Sequence, residues 1–383
     1  MIAQHSVPRA AYVHVPFCRH HCGYCNFTLV AGRDDLVNDY LRAIDLELAS
    51  VGEPREVDTL YFGGGTPTHL APTALSRLLK SVLRWLPLAP GAEFSLEANP
   101  ADVSDAKIDL LAAAGVNRLS LGGQSFDAGK LAILERDHDA DQLRRAFGRA
   151  RRRMVSVSLD LIFAAPGETI ETWCRDLSAA VELGPDHVST YGLTFERGTP
   201  FWSRLAAGEL SRLDEEAERA MYALAIDTLS VARFEHYEVS NFAQPGHRCR
   251  HNEVYWSGEG YFAVGPGAAR YVDGRRETNH RSTTTWLSRV LSGQSPVAES
   301  ETLAPEERAR EFLVFALRRL EGIDRERFTE QTGFELDRLV GPALANCTAL
   351  GLLQDDGQRV KLSREGLFVS DSIWPHFLEA GKT

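Results

Sequence analysis

Three cysteines lie within eight residues of one another: Cys18, Cys22 and Cys25 in "YVHVPFCRHHCGYCNF", residues 12–27, spaced C-x3-C-x2-C. Thiolates this close on one loop can converge on one metal centre. Six cysteines in 383 residues do not make a disulfide scaffold, and clustered thiols in a reducing compartment favour metal or catalytic roles. Two metal chemistries remain open. A structural zinc site closes its shell with four ligands, and His20 or His21 could supply the fourth. A four-iron cluster usually has four cysteines. Held by three, it keeps one iron open to chelate a small molecule, which is a catalytic arrangement. The remaining cysteines, Cys174, Cys249 and Cys347, are scattered, and burial as small side chains is the reading for Cys174 and Cys347.

The elements that must hold this loop alternate regularly. "AYVHVPF" (11–17), "VDTLYFGGG" (57–65), "EFSLEANP" (93–100), "VNRLSLGGQSF" (116–126), "VSVSLDLIFAAPG" (155–167) and "HVSTYGLTF" (187–195) read as strands. Between them lie helical stretches: Leu36, Tyr40, Ile44 and Leu48 share a face, Pro72 opens 72–86, and Ser104 caps a helix that Gly115 stops. Six strand–helix units predict an α/β fold, a parallel sheet covered by helices and either curled into a partial (β/α)6 barrel or flat. Ligands then gather at the C-terminal strand ends. The cysteines, Gly63 to Thr66, Glu97 with Asn99, and Gln124 all fall there. A helix at 213–232 and a strand at 234–243 follow. The polar stretch 290–305 marks a boundary, giving units 1–232, 233–295 and 296–383. The last has three helices and a hairpin turning at Asp356-Gly357, a mostly helical, winged-helix-like domain or else a helical cap on the barrel.

Composition narrows the function classes. A formal net charge of −11 argues against general nucleic-acid binding. No apolar run has the length of a membrane span, and "MIAQHSVPRA" lacks the pattern of a secretory leader, so a cytoplasmic protein is expected. The run "GRARRRM" (148–154) reads as a solvated helix end, where positive charge suits the dipole.

The cysteine spacing at the end of a first strand, with Tyr24 before the last cysteine, resembles the radical S-adenosylmethionine superfamily. "GGGTP" (63–67), "EANP" (97–100), "SLGGQSF" (120–126), "ERDH" (135–138), "SLDLIFAAPGET" (158–169), "EHYEVSNFA" and "HNEVYW" narrow the likeness to the oxygen-independent coproporphyrinogen III oxidase-like branch. That resemblance implies a [4Fe–4S] cluster on Cys18, Cys22 and Cys25. It implies S-adenosylmethionine held among Tyr12, Tyr24, Gly64, Gly65, Thr66, Glu97, Gln124, Arg136 and Asp160. Physical chemistry adds that a glycine lets backbone approach a ligand and that Glu97 can accept hydrogen bonds from an amine or ribose hydroxyls.

Within the branch, two groups compete: radical oxidases that decarboxylate porphyrinogen propionates, and haem chaperones. The oxidases continue the motif to C-x3-C-x2-C-x-C and carry a long arm before it. Here Phe27 stands at the fourth cysteine's place and seventeen residues precede Cys18, which favours the chaperone group. The stretch "HRCRHNEVYW" (247–256) resembles a motif of that group that is a haem-binding candidate, comprising His251, Asn252, Tyr255 and Trp256. Imidazole is a common axial ligand of haem iron, and the aromatics could cover a flat macrocycle. The alternative is that His251 and Asn252 hydrogen-bond a loop while Tyr255 and Trp256 fill the core. A Cys249–His251 metal site, or haem ligation by His14, His236 or His247, also stays open. The resemblance implies haem or a porphyrin as cargo and haem-acceptor proteins as partners, respiratory membrane-bound ones included, with no nucleic acid.

Overall fold

The computed structural model describes residues 7–378. Residues 1–6, part of the segment read above for a leader, and residues 379–383 lie outside the described residues. At the centre is a nine-stranded sheet. Its strands are β1 (Ala10–Val15), β2 (Val57–Gly64), β3 (Leu88–Ala98), β4 (Arg118–Gln124), β5 (Ser156–Phe163), β6 (His187–Gly192), β7 (Glu235–Glu238), β8 (Asn241–Ala243) and β9 (Phe262–Val264). They lie side by side in the order β9-β1-β2-β3-β4-β5-β6-β8-β7. Neighbours from β9 to β6 are parallel, and β8 and β7 close that edge antiparallel. The order has two free ends, so the sheet is an open, partial barrel.

The crossovers are helical, as the alternation requires. They include α1 (Val37–Ala49), α2 (Pro72–Trp85), α3 (Asp105–Ala113), α4 (Ala128–Ile133), α5 (Ala140–Arg151), α6 (Ile170–Leu183), α7 (Pro200–Ala206) and α8 (Glu215–Val231). Ser104 caps α3 by accepting from Lys107 N at 3.3 Å. Successive strand residues point to opposite faces. Val13, Phe62, Leu96, Leu121 and Leu159 pack outward against Tyr40, Leu78, Leu111, Leu143 and Trp173 in one buried core. The alternate residues Tyr12, Tyr61, Glu97, Ser120 and Asp160 face the lumen and keep part of their surface accessible. Register places them side by side: Tyr12 pairs with Tyr61, Glu97 with Ser120, and Asp160 with Ser189.

Four features depart from or add to the sequence-based expectation. β3 starts at Leu88, five residues early. "YFAVGPGAARYV" contains β9, which pairs with β1, and the strand Ala269–Val272. The latter joins Arg275–Asn279 and Val297–Glu301 in a three-stranded antiparallel sheet. The polar stretch read as a boundary therefore contributes an edge strand, and a division at residue 296 would separate that strand from its sheet. Its polarity follows from exposure of Ala298 to Glu301. Fourth, Cys174 is exposed, because it lies on the outer side of α6, whereas Cys347 is buried as expected.

After α9 (Arg250–Trp256) and α10 (Thr283–Leu291) come α11 (Pro305–Leu317), α12 (Arg325–Thr332) and α13 (Leu336–Ala349). Strands Ile323–Asp324, Arg359–Leu362 and Leu353–Asp355 form a small antiparallel sheet beside them. This is the element order of a winged-helix unit. Its hairpin turns where expected: Asp356 Oδ1 accepts from Gln358 N and Arg359 N at 2.9 and 2.7 Å.

Candidate functional site

The cysteine loop leaves the C-terminal end of β1 and is held from several sides. Cys25 N donates to Cys22 O at 3.0 Å, closing a turn. Phe201 N in α7 donates to Gly23 O at 2.9 Å, and a Cβ on Gly23 would lie 2.4 Å from the Phe201 ring. Arg281 Nη2 donates to Asn26 O at 2.6 Å. Phe27, two residues after Cys25, is 69% exposed.

The three thiols are half-buried or buried. Burial pushes Cys18 up to about 12, a contact with the Thr66 hydroxyl at 3.3 Å opposes it, and the neighbouring Cys25 and Cys22 raise it further. Burial likewise raises Cys22 and Cys25. The nearby cation is Arg136, whose Nη1 lies 3.7 Å from Cys22 Sγ and whose Nη2 donates to Gly122 O at 2.8 Å. Its buried Nε has no partner among the described residues. One guanidinium cannot offset three thiolates, so deprotonating this set requires a strongly charged centre between them. Among the described residues no three His, Cys, Asp or Glu side chains are grouped to hold a single metal ion. His20 Nε2 meets the Glu135 carbonyl and lies 3.4 Å from Cys22 Sγ, while His21 Nε2 meets the Cys25 carbonyl. The donor set fits a larger iron–sulfur centre.

Beside the thiols, Glu97 accepts from Tyr61 Oη at 2.9 Å and from Gly64 N at 3.1 Å. Burial pushes its carboxyl up to about 7, with the Asp160 charge acting in the same direction. Asp160, itself raised by burial, accepts from Ser120 Oγ at 3.0 and 3.1 Å and from Ser189. Tyr12 stacks on Tyr61 with centroids 6.2 Å apart and bonds His14 Nδ1 at 3.0 Å. Tyr24 bonds Arg136 and meets Phe201 edge-on at 6.1 Å. Gln124, in the left-handed region at φ 63°, brings its amide beside Gly122 and Arg136. The sequence-predicted cofactor residues thus share one end of the lumen.

The glycines divide their work differently from the sequence reading. A Cβ on Gly64 would lie 2.4 Å from the His14 ring, and one on Gly65 would lie 2.8 Å from Phe17 O. Both positions are packed against β1 or the loop after it, and Gly64 also has φ +110°. Gly63 is the residue that keeps the Glu97 carboxylate clear: its Cβ would sit 2.9 Å from Glu97 Oε1. Period-two alternation along "TLYFGG" was the signal, since Thr59, Tyr61 and Gly63 share a face. Tyr61 was missed for the same reason.

Of the candidate haem residues, His251 reaches this site from behind, its ring stacked on Tyr61 with centroids 5.1 Å apart. His251 is 1% exposed. Its Nδ1 meets Thr59 Oγ1 at 3.0 Å and its Nε2 meets Tyr255 Oη at 2.9 Å. With both ring nitrogens engaged and burial pushing the imidazole down to about 3, His251 is not presented as an axial ligand. Asn252 and Tyr255 are half-buried on α9, and Trp256 packs under Arg318, whose guanidinium carbon is 4.5 Å from its ring. His14 is also bonded through both nitrogens, the second to Thr28 O at 2.6 Å. Both nitrogens that a Cys249–His251 metal pair would draw on are engaged by Thr59 and Tyr255, and the Cys249 thiol faces Glu93 Oε1 at 3.6 Å. The arginine run pairs with Asp105 and Asp109 on α3 at a solvated helix end.

Comparison with known proteins accords with this geometry. Residues 12–180 match the family model of the radical SAM superfamily, and residues 303–369 match that of the HemN C-terminal domain. The chain is 34% identical over 376 residues to "Heme chaperone HemW" of Bacillus subtilis, covering 97% of this chain and 99% of that protein. It is 36% identical over 374 residues to the protein of the same name from Mycobacterium tuberculosis H37Rv, covering 96% and 94%. The coproporphyrinogen III oxidase HemN from Escherichia coli superposes with a TM-score of 0.86 over 97% of this chain and 90% of that one, at 22% identity, a likeness of fold alone. The chain belongs to the heme chaperone HemW family of the radical SAM superfamily.

Proposed function

We propose that this protein is a haem chaperone: it binds haem and passes it to acceptor proteins, and it holds a [4Fe–4S] cluster and S-adenosylmethionine at the C-terminal end of the barrel. Full-length identity of about a third to proteins named heme chaperones carries the reading. Phe27 in place of a fourth cysteine supports it over the oxidase. Cys18, Cys22 and Cys25 hold the cluster, and Arg136 beside Cys22 offsets part of the thiolate charge. When bound, a cluster with one iron free of cysteine supplies an open position for the methionine moiety. Glu97 accepts the ligand's amine, Gly63 keeps that carboxylate uncovered, and Thr66 braces Cys18. Tyr12, Tyr24, Gln124 and Asp160 complete the wall, while Gly64 and Gly65 set the backbone that presents it. Acceptors include respiratory proteins at the membrane; among the described residues no helix is long and apolar enough to cross one.

The test is anaerobic reconstitution followed by two parallel assays. Haem addition shifts the Soret band, and coproporphyrinogen III is not decarboxylated under reducing conditions. His251→Gln leaves the haem spectrum in place. Catalytic formation of protoporphyrinogen by the purified protein would restore the oxidase reading.

A further inference from the structure

Helix α9 touches two places that the chain separates widely. At one end, the His251 ring stacks on Tyr61 with centroids 5.1 Å apart and planes 22° from parallel. Tyr61 in turn donates to Glu97 Oε1 at 2.9 Å. His251 cannot move alone, because Thr59 and Tyr255 fix both ring nitrogens and its backbone N donates to Glu93 Oε1 at 3.1 Å. At the other end, Trp256 meets Phe315 of α11 with centroids 6.3 Å apart and lies under the Arg318 guanidinium. The segment after α11 is zipped to the barrel edge: Val239 N donates to Arg318 O at 3.1 Å and Leu320 N to Tyr237 O at 3.1 Å.

The two ends differ in how well they are satisfied. Every polar atom of the His251 ring has a partner. At the far joint, Trp256 Nε1 and Arg318 Nε are buried without a hydrogen-bond partner among the described residues. Such groups are rare in native proteins because each forfeits its hydration. A joint that leaves two of them unpaired gains little from its present packing over a slightly shifted one, in which either could find an acceptor. A rigid linkage ending in such a joint is suited to pass on a displacement.

We propose that α9 is a strut that couples occupancy of the Glu97 pocket to the C-terminal domain, with Tyr61 and His251 as positioning residues at the pocket end and Trp256 with Arg318 as the joint. The proposal rests on the assignment of S-adenosylmethionine to that pocket. A ligand amine that draws on Glu97 competes with the Tyr61 hydroxyl, shifts the Tyr61 ring, and shifts the stacked His251 with it. His251 then serves mechanics, and haem contacts lie elsewhere. Coupling is reciprocal, so a change at the joint alters affinity at the pocket.

Hydrogen–deuterium exchange on the reconstituted full chain, with and without S-adenosylmethionine, tests this. Bound ligand changes exchange in peptides covering residues 305–320 about twofold or more. Tyr61→Phe keeps the stack but deletes the hydroxyl; at ligand concentrations that saturate it by equilibrium dialysis, it loses at least half of that remote change. Arg318→Gln opens the joint and shifts the dissociation constant for S-adenosylmethionine about threefold or more, a modest coupling. Ligand bound by the wild-type chain with no change at 305–320 overturns the strut and leaves the cofactor assignment standing, as do both variants behaving as wild type. No ligand bound by the wild-type chain removes both.

Discussion

Glu93 and Glu97 stand four residues apart on β3, both on its lumen face, yet their surroundings give them opposite work. Glu93 is 8% exposed. It accepts from Arg250 N at 3.0 Å, His251 N at 3.1 Å and Ser95 Oγ at 3.3 Å, with the charge of Arg118 near by. Its lone pairs are committed to fixing the start of α9. Glu97 has the Tyr61 hydroxyl and one backbone amide, no ion pair to match its charge among the described residues, and accessible surface toward the lumen. A carboxylate saturated by amides is structure, and one left underserved beside three thiols is available to a ligand. One strand carries both because the start of α9 packs against the Glu93 end of the lumen, whereas the thiol loop stands at the Glu97 end, its mouth.

The mouth's defining feature gives the largest expected effect. Cys18→Ala, Cys22→Ala or Cys25→Ala abolishes the brown chromophore and leaves far below the roughly four irons and four sulfides per chain of the wild type. Cys174→Ala, on the exposed face of α6, leaves both unchanged. Stoichiometric zinc without sulfide in anaerobically purified protein would be the contrary finding.

The two carboxylates should then separate cleanly. Glu93→Gln removes a buried charge that two amides and an arginine are arranged around, and lowers stability by about 3 kcal/mol. Glu97→Gln has little such cost but weakens S-adenosylmethionine binding by about tenfold or more, the order of one charge-assisted hydrogen bond. Denaturant midpoints and dialysis on both variants read the contrast. Equal losses of stability would erase it.

A pH series sharpens the same comparison. The Glu97 carboxyl is pushed from an ordinary value of 4.5 up to about 7 in the folded chain. Between those values the folded state holds a proton that the unfolded chain has released. Stability from this group therefore falls as pH rises through that window and is fully lost above about 7. Glu47, buried among Gly265 N, Asn279 and Trp286, is also pushed up to about 7 and acts with the same sign. Glu97→Gln should thus flatten the decline without abolishing it. A wild-type slope retained in full by the variant would place the titration elsewhere.

The smallest expected effect is that of Gly63→Ala. The new methyl meets the flexible end of Glu97 rather than backbone, so the carboxylate gives way. S-adenosylmethionine affinity drops by about threefold, with stability changed by less than about 1 kcal/mol. Unaltered affinity would mean that Gly63 does not guard the carboxylate.

Local pattern alone determined much of this protein. The cysteine spacing, the six strand–helix units and the fall of Glu97, Thr66 and Gln124 at strand ends were all legible, because each depends on residues within a few positions of one another. Ser104 and the Asp356-Gly357 turn were legible for the same reason. What the sequence left undecided was set by partners far along the chain. β9 is short and glycine-flanked, and only pairing with β1, some 250 residues earlier, makes it a strand. The alternation that puts Glu93 and Glu97 on one face can be read from β3, but not that the amides of α9 reach the first and leave the second open. His251 looked like a ligand because an imidazole beside aromatics suits haem. Tertiary packing buried it between Thr59 and Tyr255 and stacked it on Tyr61. A side chain's type limits the chemistry it can do, and burial and the partners brought by distant segments decide which of those roles it takes.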